Sequence, residues 1–282
     1  MKNSDLRDFI LRSLEEDIGE GDHSSLACIP CQAEGKAMLL IKEKGIIAGL
    51  RVAGILFETV DKNLHTDFLI SDGQEVKPGQ VAFYVSGNQQ SILKSERLVL
   101  NIMQRMSGIA TSTHEYAAKL DGLHTRILDT RKTTPGFRAL EKEAVKIGGG
   151  MNHRMGLFDM IMLKDNHIDY SGGIEQALDR TRQYLKSRSL NLKIEIEARS
   201  LKDVERILAH GGADRIMLDN FNIENTREAV KLIKGQVETE SSGGITLETI
   251  RSYAECGVDF ISVGALTHHV RSLDMSLKAI KS

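Results

Sequence analysis

The chain has 282 residues, 41% hydrophobic and 27% charged, which is enough for one large α/β domain or for a barrel plus a smaller domain. Its 37 basic and 39 acidic residues give a formal net charge of −2, which argues against nucleic acid and anionic membranes as general partners. No run approaches the ~20 apolar residues of a membrane span, and the charged N-terminus lacks the apolar core of a signal peptide. We therefore expect a cytoplasmic protein.

The three cysteines do not form a disulfide framework. Cys28 and Cys31 have C-x-x-C spacing, but Pro30 lies between them and no second pair follows. The pattern predicts two reduced thiols without a role, which is consistent with a reducing compartment.

The first third of the chain has the texture of a small α+β layer. Leu6, Phe9, Ile10 and Leu14 recur at helical spacing and predict an amphipathic N-terminal helix. From 37 to 85, alternating apolar residues predict antiparallel strands around a helix over 51–60. A longer helical pattern follows over 89–120, and the pair Ser107-Gly108 is expected to interrupt it.

Beyond residue 123, short apolar runs alternate with amphipathic helical stretches. Successive strand–helix units demand a parallel sheet, and the last four runs recur about every 22 residues. This repeat predicts either a closed or nearly closed α/β barrel or an open doubly wound sheet. The predicted strands cover 125–130, 160–163, 192–197, 215–219, 237–240 and 260–263.

Each predicted strand ends in residues suited to chemistry, which in an α/β barrel would place them at one carboxyl-end face. The early ends are cationic, and Arg or Lys there suits carboxylates. The middle ends are acidic and suit ribose hydroxyls or Mg²⁺ beside substrate phosphates. The late ends are glycine-rich and suit phosphate, with Thr246 as the predicted start of a following helix. Together they predict a phosphorylated sugar with Mg²⁺, lying beside an acidic small molecule.

Several of these residues also have ordinary structural interpretations. Asp219 can cap the helix that follows it, and His153 can be a satisfied buried histidine. Glu195 and Glu197 share one face of a strand, so one of them can be structural. Arg97 can be a solvated helix-surface arginine.

The motifs DTRKTTPGFR, GGGMNHR, KDNH, IEIE, LDNF, SSGGIT and SVGALTH resemble, in order and spacing, those of the quinolinate phosphoribosyltransferase family. Upstream, EEDIGEGD and ERLVLNIMQRMSGIAT are also similar, so the resemblance spans roughly residues 15–278. The departures are mild: Lys142-Glu143 stands where an aromatic second residue is frequent, and Met162-Leu163 precedes Lys164. None of them removes a charged site residue.

The resemblance implies an N-terminal α/β sandwich with an antiparallel sheet, followed by a parallel α/β barrel of fewer than eight strands. We place the sandwich at residues 1–108, the barrel at 109–268, and a C-terminal helix that returns to the first domain at 269–282. The implied reaction joins quinolinate to phosphoribosyl pyrophosphate, giving nicotinate mononucleotide, pyrophosphate and CO₂ for NAD synthesis. Mg²⁺ is the implied cofactor.

The resemblance also assigns roles to individual residues. Lys132, Glu197 and Asp219 would be catalytic, the two acids also facing Mg²⁺ weakly. An arginine from a neighbouring subunit, Arg97, would complete the site, which implies a homodimer with shared sites and leaves a higher oligomer open. Quinolinate would be held by Arg97, Thr130, Arg131, His153, Arg154 and Lys164, and the 5′-phosphate by Ser242, Gly243, Gly244, Gly264, Ala265 and His268.

Three rival functions stay open at this point. An aldolase-like barrel would use Lys164 as a Schiff-base amine. A nicotinate-using phosphoribosyltransferase would need fewer cations, because its substrate has one carboxylate. A catalytically inactive homologue that binds a nucleotide is disfavoured by the retained Arg97, Lys132, Glu197 and Asp219.

Overall fold

A computed structural model describes residues 2–280 of the chain. The chain divides into two compact units. Unit 1 contains the described residues up to 114, residues 135–149, and the described residues from 269 onward; unit 2 contains residues 115–134 and 150–268. Across the described residues, no helix is long and apolar enough to cross a membrane.

Unit 1 is built on a four-stranded antiparallel sheet with helices, as the sequence predicted. Its strands follow the order β12 (Met275–Ala279), β1 (Glu34–Ile41), β5 (Val81–Asn88) and β3 (His65–Phe68). A two-stranded sheet pairs β2 (Gly45–Ile46) with β4 (Glu75–Val76). Leu39, Phe83 and Phe57 form part of its buried core. The elements are α1 (Asn3–Ile18), α2 (His23–Cys28), β1 (Glu34–Ile41), β2 (Gly45–Ile46), α3 (Leu50–Val60), β3 (His65–Phe68), β4 (Glu75–Val76), β5 (Val81–Asn88), α4 (Gln89–Ala118), α5 (Arg138–Ile147) and β12 (Met275–Ala279).

Helix α4 runs through Ser107-Gly108, so the predicted interruption there is wrong, and the expected boundary at 108 falls inside the helix. The pair serves packing instead. The Ser107 hydroxyl accepts a hydrogen bond from the backbone N–H of Ala48, 2.9 Å away. A Cβ at position 108 would clash with the carbonyl oxygen of Arg271. Glycine is therefore required by close approach of backbone rather than by a break in the helix.

The predicted C-terminal helix is also wrong, because residues 275–279 form strand β12. Met275 and Leu277 are buried while the residues between and after them are less so, which is the period-two pattern of a strand. The strand pairs antiparallel with β1, with Leu277 opposite Leu39.

Unit 2 contains six parallel strands, and each of the six predicted runs coincides with one of them. Its elements are β6 (Arg126–Leu128), β7 (Ile161–Leu163), α6 (Asp165–Ser171), α7 (Ile174–Arg188), β8 (Ile194–Ala198), α8 (Leu201–His210), β9 (Arg215–Asp219), α9 (Ile223–Ile233), β10 (Glu238–Ser242), α10 (Ile250–Ala254), β11 (Phe260–Ser262) and α11 (Ala265–His268).

The strand order decides between the two predicted architectures. It runs β6-β11-β10-β9-β8-β7, so each strand from β7 to β10 pairs with the next strand in the chain, and the last strand, β11, pairs with the first, β6. A doubly wound sheet would reverse direction at a switch point. The order is that of a barrel with fewer than eight strands, whose seam lies between β6 and β7. An isolated parallel bridge joins Met151 to Leu128 on the seam side of β6.

Candidate active site

The alternation of strand residues sends a column of polar side chains to one side of the unit 2 sheet. Glu195 pairs with Arg215, and Arg215 pairs with Glu238, so these three lie on the same face. Two residues further along β8 comes Glu197, and Asp219 lies opposite Ser242. The acidic and serine ends predicted from sequence therefore occur at the carboxyl ends of adjacent strands, where barrel enzymes build their sites.

Two arginines supply positive charge at this end. Arg131, after β6, is exposed, and within residues 2–280 its side chain makes no hydrogen bond or ion pair. Arg154 is half-buried and donates from Nη1 to the Met160 carbonyl at 3.2 Å. Burial, and then the nearby Arg131 charge, lower the pKa of Arg154. Two guanidinium groups that repel each other in this way favour an anion between them.

Lys132 is connected to the glycine-rich end of β11. Its backbone N–H donates to Thr130 Oγ1 at 3.0 Å, and its carbonyl accepts from Thr267 Oγ1 at 2.8 Å. A Cβ at Gly264 would lie 2.8 Å from His268 Nε2 and 3.1 Å from Lys132 Cδ. The early cation and the late glycine, far apart in sequence, are thus neighbours.

The acidic part of the site is joined to the cation at the end of β7. Lys164 Nζ lies 2.8 Å from Glu197 Oε1, and the Asp165 N–H donates to Glu197 Oε2 at 2.9 Å. Burial and then the Glu197 charge raise the pKa of Asp219. Asn220 Nδ2 donates to Asp219 Oδ2 at 2.8 Å. Two carboxylates close enough to repel are suited to a cationic partner.

The glycine loop after β10 is bound tightly to the end of β9. The Asn220 N–H donates to the Ser242 carbonyl at 2.8 Å. Gly243 has φ +97°, and a Cβ there would clash with the Asn220 side chain. Sequence alone predicted a helix from Thr246, but α10 begins only at Ile250; before it, the Thr246 carbonyl accepts turn hydrogen bonds.

His153 is placed differently from the other predicted quinolinate ligands. It is 8% exposed, and its Nε2 lies 3.0 Å from Glu195 Oε2 and 3.4 Å from Glu240 Oε2. Its Nδ1 accepts from the Arg154 N–H at 2.7 Å. Burial lowers the pKa of His153, whereas the hydrogen bonds and charges of the two carboxylates raise it. Because Nδ1 accepts from Arg154, the ring proton lies on Nε2 and faces the carboxylates. The ring faces protein groups on both nitrogens.

His153, Glu195 and Glu240 also have the spacing of a metal site, since one ligand atom from each lies within 4.8 Å of the others. The two carboxylates already have partners among the described residues, however. Arg215 Nη1 lies 3.0 Å from Glu240 Oε2, and His153 Nε2 faces both carboxylates. We therefore interpret the group as an internal ion cluster.

Apart from Arg97, the predicted site residues lie in unit 2. Most of them end or follow a strand, whereas His153 and Arg154 follow the bridge at Met151 and His268 ends α11. Arg97 lies on α4 in unit 1 and is exposed. Sequence reasoning missed Arg215, Glu240 and Asp129, because it assigned none of them a role in the site. A signal was present: β8, β9 and β10 carry charged residues at inward positions that apolar side chains normally fill in such barrels.

Comparison with known proteins gives a consistent picture. Family models described as quinolinate phosphoribosyl transferase N-terminal and C-terminal domains match residues 22–107 and 109–278. A Nicotiana tabacum protein named quinolinate phosphoribosyltransferase [decarboxylating] 2b, mitochondrial, is 46% identical, covering 97% of this chain and 82% of that protein. A Bacillus subtilis (strain 168) protein named probable nicotinate-nucleotide pyrophosphorylase [carboxylating] is 41% identical over 98% and 94% of the two chains. The crystal structure of NadC from Streptococcus pyogenes superposes with a TM-score of 0.94 at 36% identity, covering 100% and 99%.

Proposed function

The chain belongs to the quinolinate phosphoribosyltransferase family, and on that premise we propose how its carboxyl-end site performs the family's reaction. The enzyme is a pentosyltransferase. It transfers the phosphoribosyl group of phosphoribosyl pyrophosphate to quinolinate with decarboxylation, giving nicotinate mononucleotide, pyrophosphate and CO₂ in NAD biosynthesis.

Arg131 and Arg154 are proposed to hold the two adjacent carboxylates of quinolinate, with Lys164 and Thr130 beside them. The observation that carries this assignment is that the exposed Arg131 and the half-buried Arg154 lie near each other at the strand-end face. Burial and then the Arg131 charge lower the pKa of Arg154, and a bound dianion would offset the repulsion between the two groups. Arginine also matches a carboxylate with two parallel hydrogen bonds.

The glycine loop and the β11 end are proposed to bind the 5′-phosphate of the second substrate. Gly243 lets the backbone approach closely. The first N–H groups of α11 have no acceptor within that helix. The residues proposed to bind the phosphate are Ser242, Gly243, Gly244, Gly264, Ala265 and His268.

Glu197 and Asp219 are proposed to act on the ribose. When the pyridine nitrogen attacks the anomeric carbon and pyrophosphate leaves, positive charge grows on the sugar. Burial and then the charge of Glu197 raise the pKa of Asp219, and a second carboxylate so near favours such a positive charge. Lys132, next to Gly264, is proposed to neutralise the departing pyrophosphate.

Mg²⁺ is the proposed cofactor. The donor set fits it, because Mg²⁺ binds through one or two carboxylates together with substrate phosphates rather than in an all-protein cage. Asp219 and Glu197 are the residues that would hold it. When bound, the ion would supply charge neutralisation to the pyrophosphate.

We further propose that the working enzyme is a homodimer in which Arg97 completes the neighbouring subunit's quinolinate site, and that it acts in the cytoplasm. The support for the dimer is the family resemblance together with the exposure of Arg97 on α4. The support for the compartment is that Cys28, Cys31 and Cys256 are all unpaired.

The Schiff-base alternative is poorly supported by Lys164, whose ammonium is held 2.8 Å from a carboxylate at Glu197 rather than in an apolar pocket. The nicotinate-using alternative is tested directly by substrate choice. The protein is incubated with phosphoribosyl pyrophosphate, Mg²⁺ and either quinolinate or nicotinate, and nicotinate mononucleotide is measured. Product from quinolinate supports the proposal, whereas product from nicotinate alone would replace it.

A further inference from the structure

Beneath the proposed quinolinate site lies a set of four ionisable residues, which we name the buried ion cluster: His153, Glu195, Arg215 and Glu240. The two glutamates are fully buried, and the other two residues are each 8% exposed. Arg215 Nη1 is 3.0 Å from Glu240 Oε2 and 4.0 Å from Glu195 Oε2. The Arg215 guanidinium also lies 4.1 Å from the centroid of the Phe260 ring.

The cluster sits one level below the residues that face substrate. Glu195 and Glu240 each precede a site residue, Glu197 and Ser242, by two positions on the same face of their strands. Because Glu195 and Glu240 are fully buried, neither can contact a ligand in this conformation.

A chain of hydrogen bonds connects the cluster to a residue that does reach the site. The His153 N–H donates to Asp129 Oδ1 at 2.8 Å, which fixes the backbone. The ring nitrogen Nδ1 accepts from the Arg154 N–H at 2.7 Å while Nε2 faces the two carboxylates. The orientation of the His153 ring therefore helps to fix the position of the Arg154 backbone.

Such a cluster is costly, because charged side chains must leave water. Apolar residues of similar volume usually fill this part of a barrel, and they often give equal or greater stability. A stability function therefore explains the cluster poorly, whereas fixing a neighbouring group in place is an attested use of buried polar networks.

We propose that Glu195, Arg215 and Glu240 are positioning residues that act through His153 to fix Arg154 at the quinolinate site. His153 is then a positioning residue as well. The inference rests on the proposed function for its ligand, but not for its prediction about the position of Arg154. The acceptor role of His153 Nδ1 supports it, because it leaves the ring proton on Nε2, facing the two carboxylates.

The test is a double-mutant cycle of Glu240→Gln with Arg154→Ala, with quinolinate affinity measured by calorimetry. Arg131 remains in every variant and keeps binding measurable. Glu240→Gln alone should weaken quinolinate binding about 10-fold, and in the Arg154→Ala background it should change binding by less than about twofold. A purely structural weakening would persist in both backgrounds. Persistence of the full loss, or no loss from Glu240→Gln alone, would overturn the proposal.

Glu238→Gln is the matched control. Glu238 also binds Arg215, at 3.0 Å, but it has no contact with His153 among the described residues. Its replacement should leave quinolinate affinity unchanged, and an equal loss would count against the proposal. Should Glu240→Gln fail to fold, Glu195→Gln enters the same cycle.

A crystal structure of the Glu240→Gln variant separates this inference from the proposed function. A displaced Arg154 supports the positioning role whatever the ligand is, and an Arg154 in its original place refutes it. Absence of quinolinate binding in the wild-type protein would instead refute the proposed function.

Discussion

Lys164 Nζ and Glu197 Oε1 lie 2.8 Å apart. A cation proposed to bind quinolinate and an acid proposed to act on the ribose therefore form an ion pair with each other. Glu197 is 6% exposed, whereas the Lys164 side chain is about half exposed, so an incoming anion can reach it. The ion pair couples the quinolinate and ribose parts of the site, because a ligand that binds Lys164 removes the cation that neutralises Glu197.

This relationship predicts a split effect for Glu197→Gln. Turnover should fall by about 10²–10³, since a group that stabilises positive charge in the transition state is lost. Quinolinate affinity should be retained or rise slightly, because Lys164 is released from its partner. Initial-rate kinetics and calorimetry measure the two effects separately.

Asp169→Asn is the control for that variant, since Asp169 forms a solvent-exposed ion pair with Arg199 at 2.8 Å and is not one of the proposed site residues. It should leave both quantities unchanged. Parallel losses of affinity and turnover in Glu197→Gln would show that Glu197 serves substrate binding instead.

The two glycines after Ser242 should respond differently to alanine. Gly243→Ala needs a left-handed backbone and brings its Cβ against Asn220, so we expect unfolding free energy to fall by about 2 kcal/mol or more. Because phosphate binding also depends on this loop, the KM for phosphoribosyl pyrophosphate should rise at least ~10-fold.

Gly244→Ala, with φ +62° and open space around its Cβ, should cost only about 1 kcal/mol. Urea unfolding and substrate-specific KM values check both variants. A larger effect at position 244 than at 243 would contradict the packing described for this loop.

The shared site predicts complementation between two inactive variants. Arg97→Ala and Arg131→Ala should each abolish activity as homodimers, because each damages every site. After the two are unfolded and refolded together, half of the dimers are mixed, and each mixed dimer has one intact site, so about a quarter of wild-type activity should return. Complete absence of activity in the mixture would mean that Arg97 acts within its own chain.

The barrel could be predicted from sequence because most of its strands are short apolar runs and each is followed by, or ends in, charge or glycine. Strand β12 was missed because its partner, β1, lies more than 230 residues earlier in the chain. Gly108 was misinterpreted as a break because the close approach of Arg271 leaves no local signal.

The site residues divide in the same way, into those with a local sequence signal and those recognised only by contacts between distant parts of the chain. Arg131, Lys164, Glu197 and Asp219 could be found because each directly follows or ends a strand. The buried ion cluster could not, because its contacts join β8, β9, β10 and a loop, and a charged residue in a single strand does not reveal its partners.

In the proposed reaction, one quinolinate is decarboxylated for each phosphoribosyl group transferred. The most direct test of this stoichiometry uses quinolinate labelled with ¹⁴C in the 2-carboxylate, together with phosphoribosyl pyrophosphate and Mg²⁺. We predict that labelled CO₂ and nicotinate mononucleotide form in a one-to-one ratio, and that neither forms when phosphoribosyl pyrophosphate is omitted. Failure to release labelled CO₂, or its release without nucleotide formation, would contradict the account.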